Sequence, residues 1–165
     1  MRRVAIFLGV LIMILNANSI KTIDDIRANF SESRKNIDSM NRSKVELNEL
    51  STEGAEATIY KQNKEIKLIE VKAYMEMGNA KDEYYFKDGK LFFVYTKEEN
   101  YNAPPTTKFF DESKIEISEN RYYFIDNKLV KWLKDKKIVP KSSKDYIKTQ
   151  NQILEFSNFL LKKVN

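Results

Sequence analysis

The sequence predicts an α+β domain: an N-terminal helix, a curled antiparallel sheet of about seven strands built from hairpins, and a C-terminal helix. Three observations predict it. A phrase, Glu83-Tyr84-Tyr85-Phe86-Lys87-Asp88-Gly89-Lys90-Leu91, returns 38 residues later as Arg121-Tyr122-Tyr123-Phe124-Ile125-Asp126-Asn127-Lys128-Leu129. Each copy reads as aromatic strand, turn, apolar strand, and Asp-Gly or Asp-Asn tolerates the positive φ that a two-residue hairpin needs. Apolar residues recur with period two from Lys44 through the second hairpin, whereas the flanking segments carry helical spacing.

The chain opens with Arg2-Arg3 and an apolar run, Val4 to Leu15, which is too short for a spanning helix of about 20 residues. Ala17 and Ser19 place small residues for cleavage before Ile20. These features predict a secretory signal peptide over residues 1–19 and a single domain over 20–165. No cysteine follows the apolar run, which argues against a lipid anchor and leaves no transmembrane segment after cleavage. A chain of this length buries about two-thirds of its unfolded surface, so the absence of disulfides is affordable. The Lys, Asn, Ile and Glu bias suits an A+T-rich bacterial genome, and the expected location is periplasmic or extracellular.

Thr22 to Met40 predicts a helix, with Thr22 as cap, Asp24 and Asp25 in the first turn, and Ile23, Ile26, Phe30, Ile37 and Met40 along one stripe. A short strand through Val45 and Leu47 to Leu50 follows. Ala57 to Lys61 and Ile66 to Met75 pair across Gln62-Asn63-Lys64-Glu65, and Tyr60-Lys61-Gln62-Asn63-Lys64 is a looser third copy of the repeated phrase with one extra residue before Ile66. Gly78-Asn79 turns the chain into the first strong hairpin, Asp82 to Lys97. Pro104-Pro105 mark a loop, because prolines do not sit in a central strand. Phe109 and Phe110 then return to the core, and Lys114 to Lys134 holds the second hairpin. Pro140 breaks the chain. Ser142 or Ser143 caps a last helix with Tyr146, Ile147, Gln150, Ile153, Leu154, Leu160, Leu161 and Val164 on its packing face.

Strand alternation places Tyr84, Phe86, Leu91, Phe93 and Tyr95 on one side of the first hairpin, and Tyr85, Phe92 and Val94 on the other. In the second hairpin Tyr122, Phe124, Leu129 and Leu133 match the first side, and Tyr123, Val130 and Trp132 the second. Both faces are apolar, unlike a half-buried sheet. Either helices cover both, or one is an open platform in which Tyr85, Phe92, Tyr123 and Trp132 are the candidate partner-binding residues.

The chain has no histidine and no cysteine. That removes imidazole bases, thiol nucleophiles and the usual zinc ligands, and no phosphate-binding glycine loop or nucleophile elbow is present. The expectation is therefore a protein that is not an enzyme, with no cofactor and no metal site. Glu98-Glu99 and Asp111-Glu112 are the acid pairs that a glycan hydrolase would need, but adjacent strand residues point to opposite faces. Residues 20–127 carry 17 basic against 21 acidic side chains, and residues 128–165 carry 10 against 3. The basic end holds lysine and no arginine, which favours a solvated surface over a nucleic-acid site.

Tyr84 to Leu91 resembles the hairpin unit of MORN-type repeats, although the spacing between copies here is much longer. The whole outline is similar to small exported bacterial proteins of the PepSY and β-lactamase-inhibitor-like kind, without a Pro-Glu-Pro-Ser-Tyr type signature. The resemblance implies binding of proteins, peptides or envelope components. The leading expectation is an exported, non-catalytic binding protein of the envelope that uses an aromatic sheet face for a protein partner. The alternatives are a carrier of a lipid or other apolar small molecule in a sheet-helix cavity and, behind it, the carboxylate-based hydrolase.

Overall fold

The computed structural model describes residues 19–164, so residues 1–18 of the predicted signal peptide lie outside the described residues. Helix α1 (Ile23–Asn36) is followed by strands β1 (Asn41–Glu46), β2 (Ala55–Gln62), β3 (Glu65–Met75), β4 (Gly78–Lys87), β5 (Lys90–Asn100), β6 (Glu116–Ile125), β7 (Lys128–Lys134) and β8 (Lys137–Ile138), and by helix α2 (Lys144–Val164). The strands form one open sheet in chain order, every neighbouring pair antiparallel. The fold is α+β, with a helix on each face of the sheet.

Helix α1 starts where its cap chemistry places it. Thr22 Oγ1 accepts the Asp25 N–H at 3.1 Å, and Asp25 Oδ2 accepts the N–H groups of Lys21 and Thr22 at 2.9 Å. This reciprocal box satisfies amides that the helix itself leaves free, and the same bonds hold the Asp25 carboxyl below its ordinary range. The α-helix ends at Asn36, earlier than expected, and a single 3-10 turn, Ile37–Ser39, carries the chain to an extended Met40 that is buried.

Four tight turns join consecutive strands, each with two residues at positive φ: Asn63 and Lys64 (51° and 69°), Asp88 and Gly89 (51° and 72°), Asp126 and Asn127 (46° and 60°), and Asp135 and Lys136 (48° and 66°). This is the turn whose twist matches that of the strands. The third copy of the phrase has no extra residue, because Tyr60 aligns with Tyr85 and Tyr123 rather than with Tyr84. The fourth turn creates the short β8, an eighth strand that alternation alone does not reveal.

The three long hairpins share a β-bulge at the same place. Pairing shifts between Tyr60 and Lys61, between Tyr85 and Phe86, and between Tyr123 and Phe124. The residue skipped on the partner strand is Lys67, Phe92 or Val130. A bulge adds one residue and reverses the parity of everything beyond it, which corrects the expected faces. Tyr84, Phe86, Leu91, Val94, Tyr122, Phe124 and Leu129 pack with Tyr146, Ile153 and Leu160 of α2, and Trp132 joins them. Tyr85, Phe92, Phe93 and Tyr123 pack with Ile26 of α1, joined by Tyr95, Val130 and Leu133.

Helix α2 crosses the sheet. Gln150 Oε1 accepts the Leu129 N–H at 2.9 Å near one side, and Lys61 Nζ reaches the Val164 carbonyl at 3.4 Å near the other. Ile147, expected on the packing face, is exposed, and so is Phe109, expected in the core. Phe109 sits in the proline-containing connection between β5 and β6, where Phe110 rather than Phe109 finds an aromatic neighbour, Tyr101, at 5.4 Å. Among the described residues no helix is long and apolar enough to cross a membrane.

Candidate functional site

The four aromatic candidates do not form one exposed surface. Tyr85, Phe92 and Tyr123 lie in the core on the α1 face, at 0%, 2% and 8% exposure. Trp132 is on the opposite face, within 5.4 Å of the Tyr122 ring, and its Nε1–H donates to Asn120 Oδ1 at 3.0 Å. The β6–β7 bulge is the reason, since it moves Trp132 to the α2 side while Val130 stays on the α1 side.

An open seam runs along one flank of α1. Ile26 is fully buried against the sheet, and the Phe30 ring meets Tyr85 and Phe93 edge-on at 5.0 and 5.1 Å. Beside them a groove of about 430 Å³ runs between Ile26, Arg27, Phe30 and Arg34 of the helix and Glu83, Phe93, Tyr95, Arg121 and Tyr123 of the strands. Phe93 and Tyr123, 5.1 Å apart and T-shaped, form its apolar floor. The positions follow from register, because Glu70, Glu83, Tyr95 and Arg121 are successive cross-strand neighbours on β3 to β6.

That row is the polar wall of the groove. Glu83 is 5% exposed and fully engaged: Lys81 Nζ stands 2.9 Å away, the Tyr85 hydroxyl donates to it at 2.6 Å, and Arg34 approaches to 3.6 Å. Lys81 also binds Glu70 at 2.8 Å. Burial opposes the Lys81 charge, but its bonds to Glu70 and Glu83 hold its ammonium above the ordinary range. Burial, followed by the hydrogen bond to Glu83, keeps the Tyr85 phenol protonated far above neutrality.

The adjoining cluster is built on Glu119. It accepts the Tyr95 hydroxyl at 2.6 Å and Arg121 Nη2 at 3.0 Å, and these two bonds hold its carboxyl below the usual range. Burial and the same glutamate push the Tyr95 phenol up to about 12. The Arg121 guanidinium lies 5.1 Å from the Tyr95 ring centroid, a cation–π arrangement. Its Nη1 is buried and has no hydrogen-bond partner among the described residues. Sequence reasoning missed Arg34, Arg121 and Glu83. For Glu83 and Arg121 the one signal was a charge at a strand position followed by an aromatic residue, as in Asp82-Glu83-Tyr84 and Asn120-Arg121-Tyr122; Arg34, on α1, carried no such mark.

The other face holds a second polar group. Asp82 pairs across to Val71 and Thr96, with Glu98 diagonally placed on β5. Burial and the Glu98 charge push its carboxyl up to about 7. By contrast Glu98 and Glu99 point to opposite faces, and Glu99 is engaged by Lys97 at 2.6 Å and by Asn79 at 3.1 Å. Asp111 accepts the Ser113 N–H at 3.0 Å as a local cap. Among the described residues no three acidic side chains are grouped to hold a metal ion.

No family model, curated protein or solved structure matches this chain.

Proposed function

We propose that this chain is an exported, non-catalytic binding protein of the bacterial envelope, and that it receives part of a protein partner in the groove beside α1. The observation that carries the reading is the groove: an aromatic floor with polar groups gathered along one wall. Binding sites commonly pair an apolar base with a few placed polar groups. Arginine and aromatic side chains dominate binding energy where they can be desolvated. The lack of histidine and cysteine supports a non-catalytic role, and Arg2-Arg3 with the following apolar run supports export.

A photo-crosslinking residue at Arg27, on the groove rim, tests this in the native envelope. A discrete protein adduct at Arg27 that is missing when the same group replaces Ile147, exposed on the far side of α2, is the expected result. Identical adducts at both positions, or none, would remove the groove as the binding surface.

The carrier reading has one observation in its favour. About 430 Å³ falls within the roughly 300–1,000 Å³ range of small-molecule sites. A native mass spectrum of gently purified protein separates the two, since a carrier retains a small molecule of defined mass and a protein-binding module does not.

A further inference from the structure

We infer that this chain associates with a second copy of itself, the apolar end of the sheet in one copy docking on the lysine-rich edge formed by β8 and the start of α2 in the other. Neither surface includes the groove beside α1, so the two readings stand or fall separately.

The eight exposed large apolar side chains are not scattered. The β1–β2, β3–β4 and β5–β6 connections lie at the end of the sheet opposite the repeated hairpin turns. Six of the eight belong to that end: Leu50, Tyr74, Met75, Met77, Phe109 and Ile117. Register and hydrogen bonds tie them into one surface. Tyr74, Asn79, Glu99 and Ile117 are successive cross-strand neighbours on β3 to β6. The Tyr74 N–H donates to the Gly54 carbonyl at 3.0 Å, the Tyr101 N–H to the Met77 carbonyl at 2.8 Å, and Asn102 Nδ2 to the Phe109 carbonyl at 2.8 Å. Apolar groups gathered in this way mark an interaction surface, and methionine and aromatic side chains are enriched where proteins meet.

Charge selects the occupant. The ion pairs of this end join Lys44 to Glu56, Lys97 to Glu99, Lys114 to Asp111 and Lys163 to Glu49. They leave Glu46, Glu53, Glu76, Glu112 and Glu116 exposed and without an ion pair among the described residues. The matching surface is apolar and cationic, and this chain presents one itself. The remaining two exposed apolar side chains are Ile138 on β8 and Ile147 in the first turns of α2. Around them stand Lys134, Lys136, Lys137, Lys141, Lys144 and Lys148, all exposed. Asp135, within that stretch, is occupied by the Glu119 N–H at 2.8 Å. Opposite charges bring the two unlike patches together and keep like patches apart.

Sedimentation velocity of the processed chain, beginning at Ile20, tests the inference. The mean mass is expected to rise with protein concentration and to fall back toward that of the monomer as salt screens the exposed charges. Phe109→Ser and Ile138→Ser, both at positions 70% exposed and outside the core, each weaken association about tenfold. Glu76→Lys with Glu116→Lys weakens one surface, and Lys137→Glu with Lys144→Glu the other. A mixture of these two double variants regains association, because each supplies the surface that the other lacks and the exchanged charges attract in turn. A photo-crosslinking group at Ile147 joins two copies of the chain.

A monomer mass at every concentration, association indifferent to salt, serine variants that associate as wild type does, or a mixture no stronger than its components overturns the inference. A monomer that still forms the Arg27 adduct leaves the groove standing and removes self-association. A self-associating chain without that adduct does the reverse.

Discussion

Replacing Asp82 with Asn is expected to stabilise the protein at pH 8 and to remove most of its loss of stability between about pH 4 and pH 7. The carboxyl sits among Val71 and Thr96 across the strands, with Glu98 diagonal to it and the Tyr84 and Tyr122 rings along the same face. Burial and Glu98 raise its pKa from 3.8 to about 7. A group whose folded pKa lies above its unfolded value favours the folded state when protonated. Its contribution is therefore complete below about pH 4 and is lost as the pH climbs through 7. A shift of about three units at 1.36 kcal/mol each sets a ceiling of about 4 kcal/mol, and because Asp82 keeps part of its surface in solvent, about 2 kcal/mol is the expected difference between pH 5 and pH 8. The acids with lowered pKa, such as Asp25, Glu99 and Glu119, act in the opposite sense but titrate below this window. Urea unfolding followed by the fluorescence of Trp132, the single tryptophan, measures the effect in wild type and in Asp82→Asn. A wild type whose stability is flat or rising from pH 5 to pH 8, matched by the variant, would refute the assignment of a buried, largely protonated carboxyl.

Three further outcomes test the fold. Tyr123→Ala, which opens the core under α1, is expected to destabilise by about 3 kcal/mol or more in chemical unfolding; a loss under 1 kcal/mol would contradict its burial. Gly78→Ala should lower the melting temperature, by a destabilisation of about 1–3 kcal/mol, because a Cβ there would run into the Glu99 carbonyl oxygen; an unchanged melt would show that the two strand ends are less close. Lys64→Gly is expected to stabilise by about 0.5–1 kcal/mol, since a lysine held at φ 69° carries a strain that glycine lacks, and a destabilised variant would refute the turn geometry.

The architecture was legible where local chemistry decides it. Asp88-Gly89 and Asp126-Asn127 announce their turns, and Thr22 and Asp25 announce the helix start, whereas the doubled apolar pattern left open whether both faces are covered. The assignment of residues to faces was not legible. A bulge leaves no mark in a run such as Leu91-Phe92-Phe93-Val94, where every residue is apolar, so parity counted from the turn fails beyond Phe92. Trp132 was misplaced for the same reason on β7. The groove was invisible because its members come from α1, β4, β5 and β6, and only the register of those strands brings Glu83, Tyr95 and Arg121 into one row.

The location of the chemistry follows from a mismatch of dimensions. Strands of 10 or 11 residues, such as β4 and β5, are about 35 Å long at roughly 3.3 Å per residue, whereas a helix lying across them is about 10 Å wide. Each helix therefore covers only the half of its face nearest the long hairpin turns, where the repeated aromatic phrase lies. Beyond it the rows must turn polar. On the α1 face Glu70, Glu83, Tyr95 and Arg121 are followed by Lys72, Lys81, Lys97 and Glu119; on the α2 face Asp82, Thr96 and Asn120 come next to Tyr84, Val94 and Tyr122. Polar groups in the first row past a helix are half-covered by it, so they are desolvated without being sealed in. Asp82, with its raised pKa, and Arg121, with its unsatisfied Nη1, occupy equivalent seams on opposite faces. The seam on the α1 side opens into the groove, where the Arg121 side chain adjoins an aromatic floor.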